Sequence, residues 1–150
     1  YVRTYGNWDK LTRNIDRLAP HAARMGANFV LQMYNVFGAG QYALWLDTMY
    51  EKYPNWNQRT FAIPLEWPSA FDIGHLTTKH RKELVEELNT IEQKVRNPNT
   101  LKFISQCKTW IINRVMPSNV PQSFQQLTEA MDKQRSTKLT ELDSRFKEYL

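Results

Sequence analysis

Cysteine is almost absent from this chain: Cys107 is the only one in 150 residues. An intramolecular disulfide is therefore excluded, and no cysteine-rich metal or iron–sulfur site can be built from these residues alone. Long hydrophobic runs are also missing, since none approaches the roughly 18–20 apolar residues of a membrane span. Tyr1-Val2-Arg3-Thr4-Tyr5 has no apolar core of the kind a secretory leader carries, so a cytoplasmic location is expected. Charge of one sign is scarce: 20 Lys and Arg against 15 Asp and Glu leave a formal charge of only +5. The basic runs Lys79-His80-Arg81-Lys82 and Lys133-Gln134-Arg135 are diluted by Glu83, Glu86, Glu87 and Asp132. They read as solvated helix faces rather than a nucleic-acid surface. Charged residues make up 23% and hydrophobic residues 41%, which excludes a disordered chain and allows one domain with a core.

Catalytic and ligand motifs are thin. His21, His75 and His80 form no HxH or HExxH pattern, and no GxSxG, GxGxxG or GxxxxGK[ST] occurs. Asp72 and His75 stand three apart in one loop and read as surface residues. Cys107 falls on the apolar face of a predicted helix and reads as an inert core thiol.

The hydrophobic pattern is informative. Leu11, Ile15, Leu18, Ala22 and Met25 recur at helical spacing, predicting a helix over 7–25. Asn7 caps it, Pro20 breaks or kinks it near residue 19, and Gly26 stops it. Asn28–Phe37 is apolar, β-branched and aromatic, the pattern of a buried strand. A helix over 40–53 follows, with Tyr42, Trp45, Leu46, Met49 and Tyr53 as its stripe. Arg59–Leu65 is a second strand ended by Pro64 and Pro68. Helix between strands implies a right-handed crossover and parallel pairing. The remainder is helical: about 77–96, with Leu84, Leu88, Ile91 and Val95; about 100–115, with Phe103, Ile104, Cys107, Trp110 and Ile111; a linker at Met116–Pro121; and a helical region over 122–150. Two strands cannot cover both faces of a sheet, so more strands are expected from elsewhere. The chain alone is expected to be poorly soluble.

In parallel α/β domains ligands sit beyond the carboxyl ends of the strands. Those ends carry Gln32, Asn35, Glu66 and Trp67. Asn35 offers both donors and an acceptor to a ligand, or it caps the strand-to-helix turn. Glu66-Trp67-Pro68 suits a ligand contact or simple turn chemistry. Arg3 is suited to clamp a carboxylate, or it is an exposed terminal residue.

Tyr1-Val2-Arg3-Thr4-Tyr5-Gly6-Asn7-Trp8-Asp9 through Asn14-Ile15-Asp16-Arg17-Leu18 resembles the segment after the fourth barrel strand of radical S-adenosylmethionine (radical SAM) proteins with a twitch-type extension. Phe29–Val36, with its Gln32-x-x-Asn35 ending, resembles their fifth strand. Phe61–Pro68 resembles the sixth strand and its exit loop. Met131–Leu139 resembles their Asp-x-x-Arg-Gly-x-x-Leu run, with Ser136 in place of Gly and no Phe-Pro after it. The resemblance covers most of the chain in order, but the CxxxCxxC motif that holds the family's [4Fe–4S] cluster is absent.

This resemblance implies an α/β fold: a partial (β/α) barrel segment with two parallel strands over 1–76, then an α-helical C-terminal extension over 77–150. It implies the SAM-side half of an enzyme whose N-terminal barrel half holds the cluster. There a reduced cluster cleaves SAM to methionine and a 5′-deoxyadenosyl radical, which abstracts hydrogen from a peptide or other macromolecular substrate. By motif position Arg3 would meet the SAM carboxylate, and Gln32 and Asn35 the ribose or methionine end. Ile63–Trp67, Glu66 included, would lie near the adenine. No auxiliary cluster is expected. Two other readings compete: a noncatalytic α-rich partner-binding module, and a weak nucleic-acid-binding domain whose affinity would fall steeply with salt.

Overall fold

The computed structural model describes residues 7–115, 124–135 and 138–150. Arg3, Ser136 and the Met116–Pro121 linker lie outside the described residues. The described chain is mixed α/β and mostly helical, with one two-stranded parallel sheet.

Helix α1 spans Trp8–Leu18, and the Asn7 side chain accepts a hydrogen bond from Lys10 N at 2.8 Å. It ends earlier than its apolar repeat suggests. Pro20 lacks an N–H, and the chain tightens into a 3₁₀ turn over Ala19–His21. The freed carbonyls of Ala19 and Ala22 accept from Asn55 Nδ2, both at 2.6 Å. Gly26 is therefore not the stop of this helix. Residues around it pair with the 55–58 segment through Met25 N to Asn55 O (2.8 Å) and Gln58 N to Met25 O (3.0 Å). A Cβ on Gly26 would overlap Gln58 Cβ. Gly26→Ala is expected to lower stability by about 1–3 kcal/mol through overpacking, read as a fall in the urea midpoint.

Strand β1 is Phe29–Leu31 and strand β2 is Ala62–Pro64. They pair in parallel, Phe29 against Ala62, Val30 against Ile63 and Leu31 against Pro64. Both are shorter than the apolar runs around them. β1 stops because the chain turns at Gln32–Asn35 into a 3₁₀ turn over Val36–Gly38. Helix α2, Ala39–Lys52, is the crossover between the strands.

Helix α3, Thr78–Glu92, is capped by Thr77, whose Oγ1 accepts from His80 N at 3.2 Å. Helix α4, Pro98–Asn113, begins with Pro98 where a missing N–H costs nothing. The carboxylate of buried Asp47 on α2 accepts from Arg96 N (3.2 Å) and Asn97 N (3.0 Å), tying the α3–α4 junction to α2.

The C-terminal region is three short pieces rather than one helix. Helix α5 is Phe124–Arg135, helix α6 is Leu139–Leu142, and a 3₁₀ turn covers Ser144–Glu148. Asp132 accepts from Leu139 N at 3.2 Å and Asp143 from Arg145 N at 2.9 Å, each starting a new turn. Leu139 and Phe146 are buried, whereas Leu142 is exposed.

One apolar cluster joins these elements, from Phe29 and Leu31 through Leu46, Leu84, Leu88 and Phe103 to Phe146. It lies on one side of the sheet. Phe29, Leu31 and Ala62 point into it, while the register pair Val30 and Ile63 stay 43% and 47% exposed on the other side. Phe61, two residues from Ile63, is exposed with them. The second face of the sheet is thus only partly covered among the described residues. Burial also corrects the reading of 79–82 as a solvated face: His80 is buried, its Nδ1 2.6 Å from Tyr149 Oη. Arg81 donates to the carbonyls of Leu76, Ile73, Gly74 and Ile111. Trp110, predicted with the core of α4, sits at its rim.

Candidate functional site

The carboxyl ends of β1 and β2 lie side by side because the strands are parallel and in register. Gln32, Asn35 and Glu66 are brought to this end of the sheet. Their circumstances differ sharply.

Gln32 is 8% exposed as a residue. Its amide is not among the buried side-chain groups that lack a partner, which in the described residues are Trp45 Nε1, Trp56 Nε1 and Thr100 Oγ1. Asn35 is engaged. Its Nδ2 donates to Val30 O at 2.8 Å and its Oδ1 accepts from Gln32 N at 3.0 Å. These bonds serve the outer edge of β1, the side away from β2. Glu66 is exposed and accepts from Arg114 Nη1 at 3.2 Å. Trp67 beside it is 73% exposed and free to stack on a planar group.

Arg114 is the residue that sequence reading missed. It follows α4, and its guanidinium meets Asp72 in a forked pair: Nε to Oδ2 at 3.0 Å and Nη2 to Oδ2 at 2.6 Å, with Nε also 3.1 Å from Oδ1. The hydrogen bonds that Arg114 donates to Asp72 raise its pKa above the ordinary value, against a smaller opposing effect of burial. Asp72 is fully buried, which corrects its reading as a surface loop residue. Its Oδ1 also accepts from Gly74 N at 2.8 Å and fixes the 3₁₀ turn Ile73–His75. His75 Nε2 lies 3.1 Å from Ser69 O, in the same loop. The pair Asp72–Arg114 therefore holds the loop after β2 in place, with Glu66 at its edge.

A concavity of about 650 Å³ flanks β1 and α2. Trp8, Phe29, Tyr42 and Trp45 line one part of it, and Asn35 and Asp143 another. Burial raises the Tyr42 pKa, so its hydroxyl stays neutral, donating to Ala27 O at 3.3 Å. At the far end Arg145 lies 4.2 Å from the Phe37 ring centre and forks onto Asp143, whose pKa it lowers.

Metal chemistry has little support from these residues. No group of three or more His, Cys, Asp or Glu among the described residues could hold a metal ion. Cys107 is fully buried and burial pushes its thiol up to about 12, so it does not offer a thiolate. No described helix is long and apolar enough to cross a membrane. Comparison with protein-family models, with characterised proteins and with solved structures gave no match.

Proposed function

We propose that this chain is the SAM-side half of a radical SAM enzyme acting on a peptide or other macromolecular substrate. The observation that carries the reading is the parallel pairing of β1 and β2, whose carboxyl ends lead into Gln32, Asn35 and Glu66. The sheet around it supports the same reading. Two parallel strands with one apolar face covered and Val30, Ile63 and Phe61 open are what a piece of a larger sheet would present, and this supports the partial-barrel reading.

The cluster does not fit this chain. A [4Fe–4S] site needs three cysteine ligands here, and Cys107 is single, buried and protonated. Its ligands would come from the N-terminal barrel half, the partner this reading requires. SAM does fit. Gln32 can donate to a carboxylate or ribose oxygen and accept from a hydroxyl, and Trp67 offers an exposed face for adenine. When bound beside a reduced cluster, SAM supplies the hydrogen-abstracting chemistry. The Asp72–Arg114 pair would keep the β2 exit loop still under the ligand.

The test is anaerobic production of the longer protein that carries CxxxCxxC upstream of Tyr1, followed by measurement of SAM binding and of 5′-deoxyadenosine. Gln32→Ala is expected to weaken SAM binding by about 10–100-fold, with the fold unchanged by circular dichroism. A coding sequence with no CxxxCxxC upstream, or a longer protein that neither binds nor cleaves SAM, overturns the reading.

A further inference from the structure

The two outer edges of the sheet are not alike. Phe29 N donates to Phe61 O at 3.0 Å and Leu65 N to Leu31 O at 2.9 Å, so the peptide groups of residues 29 and 31 face β2. By alternation those of Val30 and Gln32 face outward. Asn35 takes two of them, Val30 C=O and Gln32 N–H. In a parallel ladder one residue of a neighbouring strand donates to the carbonyl of residue i−1 and accepts from the N–H of residue i+1. Centred on Leu31, those are the two groups that the Asn35 carboxamide occupies. Asn35 stands in for one residue of a strand.

The outer edge of β2 cannot take a strand in this way. Pro64 has no N–H, and Ala62 N already donates to Gln106 Oε1 at 3.1 Å. The sheet therefore grows only on the β1 side. The described chain enters on that side too. Trp8, the first residue of α1, lines the concavity with Phe29 and Asn35, its ring 5.1 Å from Trp45.

We propose that Asn35 is a placeholder: a further parallel strand from the N-terminal part of the longer protein pairs with the outer edge of β1, takes over Val30 C=O and Gln32 N–H, and releases the Asn35 carboxamide to the ligand held at the carboxyl end. This rests on the functional reading above and adds a coupling to it. Ligand binding at Asn35 becomes available only once the sheet is complete, because one carboxamide cannot serve the edge and the ligand with the same atoms.

Amide hydrogen exchange tests it. In the 150-residue chain Asn35→Ala is expected to speed exchange at Gln32 N–H by about tenfold, since its acceptor is removed. In the longer protein the same substitution is expected to leave Gln32 slow, because a strand carbonyl now accepts, while SAM binding weakens. A measurement without any substitution repeats the test: the Asn35 Nδ2 protons should exchange slowly in the 150-residue chain and fast in the longer protein without SAM. Equal acceleration of Gln32 in both proteins overturns the proposal, as does protection of Gln32 that rises with concentration of the 150-residue chain, which would mean pairing with a second copy. SAM cleavage by the longer protein is scored separately. Cleavage with no change at Asn35 sinks the placeholder and keeps the enzyme; a change at Asn35 without cleavage does the reverse.

Discussion

Asp72→Ala is expected to lower stability by about 3–5 kcal/mol, the cost of breaking a buried ion pair by removing one partner. Asp72 is fully buried and receives the forked guanidinium of Arg114, with a further bond from Gly74 N. Alanine removes the carboxylate and leaves Arg114, largely shielded from water, facing a cavity with its Nε and Nη2 protons unpaired. The loss also reaches the ligand end of the sheet. Glu66 is held by the same guanidinium, and the turn Ile73–His75 starts on the same carboxylate. Urea unfolding should show the drop as a lower midpoint at unchanged slope. Asp72→Asn keeps the acceptor for Gly74 N and is expected to lose less. Arg114→Met combined with Asp72→Ala should recover part of the loss, because the orphaned charge goes with its partner. A wild-type midpoint for Asp72→Ala would mean that the pair carries no net stability.

This pair marks the limit of what the sequence could tell. Helices α2, α3 and α4 are legible because each carries an apolar stripe at 3.6-residue spacing, and two of them also a local cap: Thr77 for α3, Asn97 with Pro98 for α4. Parallel pairing is legible because a helix lies between the strands. What is not legible depends on contacts far apart in the chain. Asp72 and Arg114 are 42 residues apart, and neither sits in a motif. The strand is shorter than its pattern suggests because Phe29–Phe37 is apolar apart from Gln32 and Asn35, and Asn35 folds back onto Val30 and ends the strand. Gly26 looked like a helix stop because it follows the last apolar repeat, whereas its absent side chain is needed against Gln58. Asp47 falls among Ala43, Leu46 and Met49 on the buried face of α2, and a carboxylate there implies partners, which are the N–H groups of Arg96 and Asn97.

Phe103→Ala is expected to lower stability by about 3–5 kcal/mol and the melting temperature by roughly 10 °C or more. Phe103 is fully buried on α4, with its ring centre 5.7 Å from Phe29 in an edge-to-face contact and 5.3 Å from Tyr42. Its ring touches both β1, at Phe29, and the crossover helix α2, at Tyr42. No second apolar layer lies on the open side of the sheet among the described residues, so the packing of β1 comes from the Phe103 side, beside its ladder to β2. The cavity left by alanine should therefore do more than lower stability. Phe29 would lose its edge contact, and the outward groups of Val30 and Gln32, three residues or fewer away in the chain, would shift with it. Exchange at Gln32 N–H is then expected to quicken along with global destabilisation, whereas Asn35→Ala quickens it alone. Phe103→Leu refills most of the space and should give a smaller loss with Gln32 still protected. If Phe103→Ala melted like the parent chain, α4 would not be what fixes β1, and the positioning of Gln32 would have to come from the β1 turn itself.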